Sequence, residues 1–116
     1  MRDISSVKRW PDKFSDVEGI KYYHVDIAEA HRVSNNKYTN YLEYTGEENV
    51  IKKLFDIISQ AGEGAVLFHC VGGKDRTGVL SLLLLGLVNV DTKSIIENYI
   101  VSYDLIKDRP KIKKNN

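Results

Sequence analysis

The sequence predicts an α/β fold in which a small parallel-type sheet is flanked by helices. Residues 21–27, KYYHVDI, are rich in aromatic and β-branched side chains, which favours a strand ending near Ile27. Residues 65–70, AVLFHC, form a continuous apolar run, typical of a parallel strand buried on both faces. A helical pattern separates the two stretches, so we expect a right-handed crossover between the strands. Residues 1–15 have weak periodicity and are expected to form a short strand and a loop.

The segment between the two predicted strands contains a long loop and then a helix. Residues 28–44 are polar and rich in tyrosine, and a compact domain seldom keeps so long a loop without using it. Thr45 and Glu48 have the spacing of a capping box, and apolar residues then recur at helical spacing. Gly62 and Gly64 are expected to end this helix.

Two further helices are predicted in the second half of the chain. Residues 77–88 are expected to form a buried helix, and Asp91 or Thr92 can cap a last helix with an apolar stripe. We found no repeat or low-complexity linker, so residues 1–116 are predicted to form a single domain. Its tail, about residues 107–116, is expected to be flexible.

Composition argues against several kinds of partner. The chain has 116 residues, a net charge of +1 and 28% charged residues, so no strong basic field predicts a nucleic-acid partner. Residues 79–90 are apolar but fall short of the ~20 residues that cross a bilayer, so we expect no stable membrane insertion. The start, MRDISSVKRW, lacks the apolar core of a signal peptide, which predicts a cytoplasmic protein unless the N-terminus is truncated. One cysteine, Cys70, fits a reducing compartment.

Cys70 lies where the second predicted strand meets a glycine-rich turn. In α/β folds ligands bind at the carboxyl ends of strands, and a glycine-rich loop before a helix can turn its N–H groups inward to hold an anion. The same field stabilises a thiolate and can lower the pKa of a cysteine from about 8.5 to roughly 3.5–7.5. Arg76 adds a planar guanidinium that can hold two phosphoryl oxygens, and Gly72 and Gly73 allow unusual backbone angles.

The residues HCVGGKDRTG resemble the signature of the cysteine-dependent protein tyrosine phosphatases, which is His-Cys, five residues, Arg, then Ser or Thr. They are similar, more narrowly, to the bacterial and fungal branch with the loop HCxxGKDRTG. That branch includes tyrosine, dual-specificity and phosphoinositide phosphatases. Weaker resemblance extends upstream through GIKYYHVDI and downstream through ENYIVS.

This resemblance implies a tyrosine-phosphatase-like fold and a phosphate-monoester hydrolase that needs no metal or other cofactor. Its substrate would be a phosphorylated protein or a phosphoinositide. Phosphotyrosine, phosphoserine and inositol phosphate all stay open, because the depth of the pocket depends on how residues 28–44 fold.

The resemblance also assigns roles to individual residues. Cys70 would attack phosphorus and form a phosphocysteine, His69 would orient the loop and help keep the thiol ionised, and Thr77 would stabilise the sulfur as it leaves. Lys74 would add positive charge for the substrate, and Asp75 would hold the loop or transfer a proton. The phosphoryl oxygens would be bound by Val71, Gly72, Gly73, Lys74, Asp75 and Arg76.

Several carboxylates could serve as the general acid. Asp75 already lies in the loop, while Asp26 and Glu29 lie where dual-specificity relatives place their acid. Trp10, Pro11 and Asp12 match the Trp-Pro-Asp loop of tyrosine phosphatases. Because Asp12 precedes the predicted strand at residues 21–27, whereas the family's acid usually follows it, we interpret this tripeptide as a coincidence.

Alternatives from other classes remain. The same loop could belong to a catalytically weak module that binds phosphoprotein or phosphoinositide. Rhodanese-like sulfur transfer also uses a cysteine at a strand end, but Arg76 followed by Thr77 argues against it, and Lys74 followed by Asp75 does not fit a Walker loop. A lone cysteine is often only a core residue. His24 and His31, with Asp26 and Glu29, fit no strong metal-binding spacing.

The length of the chain is a departure from the family. Relatives usually have more chain before the segment that MRDISS resembles, and further helices after the region matching residues 95–102. The protein is therefore either a minimal version or a fragment. A fragment would expose apolar surface, and we expect it to dimerise or to exchange strands in order to bury that surface.

Overall fold

The computed structural model describes residues 1–27 and 48–107. The described residues form four helices, and they contain no strand or sheet. The helices are α1 (Ile4–Arg9), α2 (Glu48–Ser59), α3 (Asp75–Leu87) and α4 (Thr92–Ile106). The chain divides into two compact units, Met1–Val79 and Leu80–Asn116. The prediction that residues 1–116 form one domain stays a prediction.

The predicted α/β fold with a parallel-type sheet is wrong for the described part of the chain. No backbone hydrogen bond joins residues 21–27 to residues 65–70, and neither segment is a strand. The second segment is also not buried on both faces, since Leu67 is 74% exposed. Aromatic and β-branched composition reflects side chains that suit a pleated surface, whereas a strand also needs a neighbour to complete its hydrogen bonds.

The first segment of the chain also differs from its prediction, because α1 replaces the expected short strand. Asp3 caps the helix by accepting a hydrogen bond from the Ser6 amide at 2.8 Å. Hydrogen bonds from the side chains of Ser5 and Ser6 hold the pKa of Asp3 well below its usual range. Asp is a strong N-cap residue, so the capping signal was present in the sequence although the apolar periodicity was weak.

Helix α2 confirms the helix predicted after the long loop. It ends at Ser59, earlier than the predicted glycines, and the Gln60 amide still donates to the Asp56 carbonyl at 3.1 Å. Leu54 is the buried residue of its apolar stripe. The loop at residues 28–44 and Thr45 of the predicted capping box lie outside the described residues.

Helices α3 and α4 confirm the other two predicted helices, but the prediction that the first of them is buried is wrong for its second half, since Leu87 is 64% exposed. Helix α3 begins at Asp75, two residues before the predicted start, and ends at Leu87. Asn89 follows with a φ of 59°, a left-handed conformation that asparagine tolerates better than most residues. Asp91 caps α4 by accepting from the Ser94 amide at 3.0 Å. Except for Lys107, the predicted flexible tail lies outside the described residues.

Much apolar surface of α4 faces solvent. Ile96, Ile100 and Tyr103, three of the apolar positions expected to pack, are exposed. Among the described helices, none combines the length and apolar character needed to span a membrane. Dimerisation and a cytoplasmic location stay predictions.

Burial along α3 leads to a prediction about stability. Leu80 is 1% exposed and Leu87, in the same helix, is 64% exposed. Leu80→Ala removes buried apolar surface and leaves a cavity, so we expect it to lower the free energy of unfolding by about 2–5 kcal/mol. Leu87→Ala is the matched control and should change it by less than about 0.5 kcal/mol. Urea denaturation followed by circular dichroism measures both, and equal losses would contradict the burial of Leu80.

Candidate active site

The candidate site lies around Cys70, whose side chain is buried. Residues 71–74 form the loop that follows it, and α3 begins at Asp75. The Gly78 amide donates to the Lys74 carbonyl at 2.8 Å and closes the first helical turn. The first turn of α3 therefore brings its N-terminal amides and the side chains of Arg76 and Thr77 towards the end of the 65–70 segment.

The surroundings of Cys70 favour the ionised thiol. Burial raises the pKa of the Cys70 thiol, but hydrogen bonds from the Thr77 hydroxyl and from the Thr77 and Gly73 amides lower it, as does the charge of Arg76. The net effect is a pKa below the ordinary value of 9.0. The thiol is thus held among donors that stabilise an anion, as the sequence predicts for a helix N-terminus.

Gly73 is the loop position where glycine is required by the backbone. Its φ is +66°, in the left-handed region that L side chains rarely adopt, whereas Gly72 lies outside that region. A Cβ added at Gly73 would meet no atom within 4 Å, so the constraint is the backbone angle and not crowding. This angle allows the Gly73 amide to point at the sulfur of Cys70.

Arg76 connects the loop to the 21–27 segment. Its guanidinium is buried, and Nη1 donates to the Ile27 carbonyl at 3.1 Å. The neighbouring Asp26 is exposed. The Arg76 side chain therefore connects the loop to the backbone at Ile27, where a strand was predicted to end.

His69 contacts two oxygen atoms, one at each ring nitrogen. Nδ1 lies 2.9 Å from the carbonyl oxygen of Cys70, and Nε2 lies 2.6 Å from Oδ2 of Asp12. The sequence analysis missed the second contact, because it set Asp12 aside as part of a coincidental tripeptide. The match of Trp10, Pro11 and Asp12 to a Trp-Pro-Asp loop was nevertheless the sequence signal that pointed to Asp12 as a residue of this site.

Asp12 is fixed by several groups besides His69. Arg2 Nη2 lies 3.7 Å from Asp12 Oδ2, and the Phe14 amide donates to Oδ1 at 3.1 Å. Burial raises the pKa of Asp12, but the Phe14 amide and the hydrogen bond and charge of His69 outweigh it, with a further contribution from Arg2. The net pKa lies below its usual range, so Asp12 is a carboxylate at neutral pH.

A cavity of about 400 Å³ opens beside Cys70. One wall is residues 10–14, another is residues 69–71, and Arg2 and Leu67 complete it. The ring of Trp10, the ring of Phe14 and the side chain of Leu67 give it apolar surface next to a thiol that favours the anionic form. Such a combination suits a ligand with a flat apolar part and a charged end.

The other predicted site residues have different surroundings. Asp75, at the first position of α3, has a buried Oδ1 with no hydrogen-bond partner in the described part of the chain. Lys74 is half-buried in the loop, and Glu29 lies outside the described residues. No group of three or more His, Cys, Asp or Glu within the described ranges could hold a metal ion. His24 Nε2 lies 2.7 Å from the Arg2 carbonyl.

A buried thiol beside a glycine at positive φ, backbone amides and an arginine in the first turn of a helix is the arrangement expected of a cysteine-based oxyanion site. Comparison with known proteins agrees. The model of the tyrosine phosphatase family matches residues 2–116. The chain therefore belongs to the tyrosine phosphatase family, which confirms the resemblance found in HCVGGKDRTG.

Two relatives illustrate the extent of the similarity. A tyrosine-protein phosphatase of Nostoc commune is 40% identical over 72 residues, which make up 61% of this chain and 24% of the relative. The triple specificity protein phosphatase PtpB of Mycobacterium tuberculosis is 31% identical over 77 residues, 66% of this chain and 27% of the relative. The chain thus spans about a quarter of the length of these curated relatives. No solved structure matches it significantly.

The surroundings of Cys70 lead to a prediction about its reactivity. Because iodoacetamide alkylates the thiolate, the midpoint of the alkylation rate against pH should lie below 9.0. Thr77→Val removes the hydroxyl and should raise this midpoint by about 0.5–1 unit, the effect of one hydrogen bond. Ser59→Ala, which removes a hydroxyl that bonds a carbonyl of α2, is the control and should leave it unchanged.

The same shift has a consequence for stability. A lowered pKa in the folded state means that Cys70 stabilises the fold above the pKa of the unfolded thiol, and that this contribution is lost as the pH falls through the folded pKa. In the alkylation experiment, a wild-type midpoint at or above pH 9.0 would contradict the assignment of a stabilised thiolate at Cys70.

Proposed function

We propose that this chain carries the nucleophilic and phosphate-binding centre of a protein phosphatase that hydrolyses phosphate monoesters through a phosphocysteine. The observation that carries the proposal is the buried Cys70 thiol with a lowered pKa, surrounded by donors from Gly73, Arg76 and Thr77. Membership of the tyrosine phosphatase family supports it. The relatives are several times longer, so their activity comes to this chain as part of the proposal.

The proposed reaction has two steps. In the first, the Cys70 thiolate attacks phosphorus, an S–P bond forms, the ester P–O bond breaks, and the leaving oxygen takes a proton from a general acid. In the second, water attacks phosphorus, the S–P bond breaks and inorganic phosphate is released. Arg76 and the amides of residues 71–76 hold the phosphoryl oxygens as their charge redistributes, and Thr77 stabilises the sulfur when it leaves.

The cavity beside Cys70 favours an aryl phosphate as the substrate. Its apolar surface from Trp10, Phe14 and Leu67 can pack on a phenyl ring, while a phosphate group on that ring reaches the loop. We therefore propose phosphotyrosine as the preferred substrate. A dual-specificity enzyme would also accept the shorter phosphoserine and phosphothreonine.

Asp75 is the general acid in this proposal. It lies in the loop after Cys70, at the first position of α3 and next to Arg76, which supports the assignment. Asp26 is exposed and adjoins Ile27, whose carbonyl accepts from Arg76. Asp12 is a carboxylate engaged by His69, which disfavours it as a proton donor.

The proposed function predicts a clear loss in one variant. The wild-type chain should hydrolyse p-nitrophenyl phosphate, and Cys70→Ser should lower kcat by roughly 10⁴-fold or more because a serine hydroxyl is a far weaker nucleophile. Rapid acid quenching with radiolabelled substrate should trap a labelled wild-type chain and an unlabelled Cys70→Ser chain. Tight vanadate binding without turnover would instead identify a phosphate-binding module.

The assignment of Asp75 is tested by varying the leaving group. Asp75→Asn should lower kcat by about 10²-fold or more on phenyl phosphate, which needs a proton on its leaving oxygen, and by much less on p-nitrophenyl phosphate. Glu63→Gln, an exposed carboxylate replaced in the same way, is the control and should change neither rate. Equal losses on both substrates, or a larger selective loss in Asp26→Asn, would show that Asp75 is not the acid.

A further inference from the structure

The two contacts of His69 connect Asp12 with the loop that follows Cys70. Nδ1 lies 2.9 Å from the carbonyl oxygen of Cys70, and Nε2 lies 2.6 Å from a carboxylate oxygen of Asp12. A backbone carbonyl can only accept a hydrogen bond, and an ionised carboxylate can only accept one as well. The ring of His69 therefore lies between two acceptors, one on the loop and one on the segment that carries Asp12.

Asp12 is a fixed partner for the His69 ring. Its side chain is 5% exposed, whereas that of His69 is 41% exposed, so the carboxylate is the anchored end of the pair. Arg2 lies beside the same oxygen of Asp12 and also donates to the Trp10 carbonyl at 2.8 Å. The segment that carries Asp12 is thus also held by contacts that do not involve His69.

The Nδ1 atom of His69 contacts the peptide group between Cys70 and Val71. The His69 ring contacts the carbonyl of Cys70, and the peptide that follows is trans. In a trans peptide the C=O and N–H groups point in opposite directions, so the Val71 N–H faces away from His69. That N–H is the first amide of the 71–76 loop, and Val71 lines the cavity beside Cys70.

We propose that Asp12 is a positioning residue that acts on Cys70 through His69, and not the general acid that a Trp-Pro-Asp tripeptide suggests. Its carboxylate keeps the His69 ring turned towards the Cys70 carbonyl. The ring then orients the Val71 amide, the first amide of the loop that surrounds the thiol. This inference rests on the proposed function in taking Cys70 as the nucleophile.

Other charges act on the same groups and stay constant in the test. Arg76 of α3 and the amino group of Met1 face the Cys70 thiol. Arg2 and the Met1 amino group face Asp12. None of these groups is changed in the variants below, so a shift in the titration of Cys70 reports the pair formed by Asp12 and His69.

The experiment measures the alkylation of Cys70 by iodoacetamide against pH in the 116-residue chain. Asp12→Asn should raise the midpoint by about 0.5–1 unit, which makes alkylation about threefold to tenfold slower at low pH, where the rate follows the thiolate fraction. His69→Gln should raise it by the same amount. The double variant should show no further shift, because Asp12 acts only through His69. Asp12→Glu should restore most of the wild-type profile, and Asp16→Asn, an exposed carboxylate in the same segment, should not change it.

The outcomes separate this inference from its rivals. An unshifted midpoint in Asp12→Asn, or additive shifts in the double variant, would overturn it. So would an Asp12→Asn chain that loses far more kcat on phenyl phosphate than on p-nitrophenyl phosphate, since that pattern identifies a general acid. If Asp12→Asn fails to fold, an unshifted midpoint in His69→Gln overturns it equally. A wild-type chain without turnover would refute the proposed function, while the alkylation profiles would still decide the inference.

Discussion

The stabilisation of a thiolate at Cys70 is the constraint on which the rest of the site depends. Burying a thiolate is unfavourable, and burial is the largest single influence on the Cys70 pKa. Only the sum of several donors reverses it: the Thr77 hydroxyl and amide, the Gly73 amide and the charge of Arg76. Each donor requires a structural feature, namely a left-handed angle at Gly73 and a helix that begins at Asp75. The loop geometry and the start of α3 are therefore parts of one electrostatic arrangement.

Side-chain hydrogen bonds between segments that are far apart in sequence hold this arrangement in place. Arg76 donates to the Ile27 carbonyl across 49 positions in sequence, and His69 meets Asp12 across 57 positions. In the described part of the chain no ladder of strand hydrogen bonds does this work. Arg76 suits the purpose, because a hydrogen bond from a cation is stronger than one between neutral groups. The same charge also lowers the pKa of the Cys70 thiol.

The parts that could be predicted from the sequence are those with local causes. Apolar spacing predicts helices α2, α3 and α4, and the Asp91 cap adds to the signal for α4. The placement of Cys70 and Arg76 at the loop follows from a short stretch of consecutive residues. The sheet could not be predicted reliably, because strand formation depends on a partner segment that composition does not identify. Helix α1 was not predicted, because the apolar periodicity of residues 1–15 is weak and the Asp3 cap was not recognised as the start of a helix. The contact between Asp12 and His69 has no periodic pattern, and only folding brings the two residues together.

The surroundings of each carboxylate, and not the motif around it, decide what it can do chemically. A general acid must hold its proton near neutral pH, which requires a carboxyl group whose charged form is disfavoured. Asp12 has the opposite environment: the Phe14 amide, His69 and Arg2 favour its charged form despite its burial. A Trp-Pro-Asp tripeptide can therefore lie near a buried cysteine and supply a fixed negative charge there.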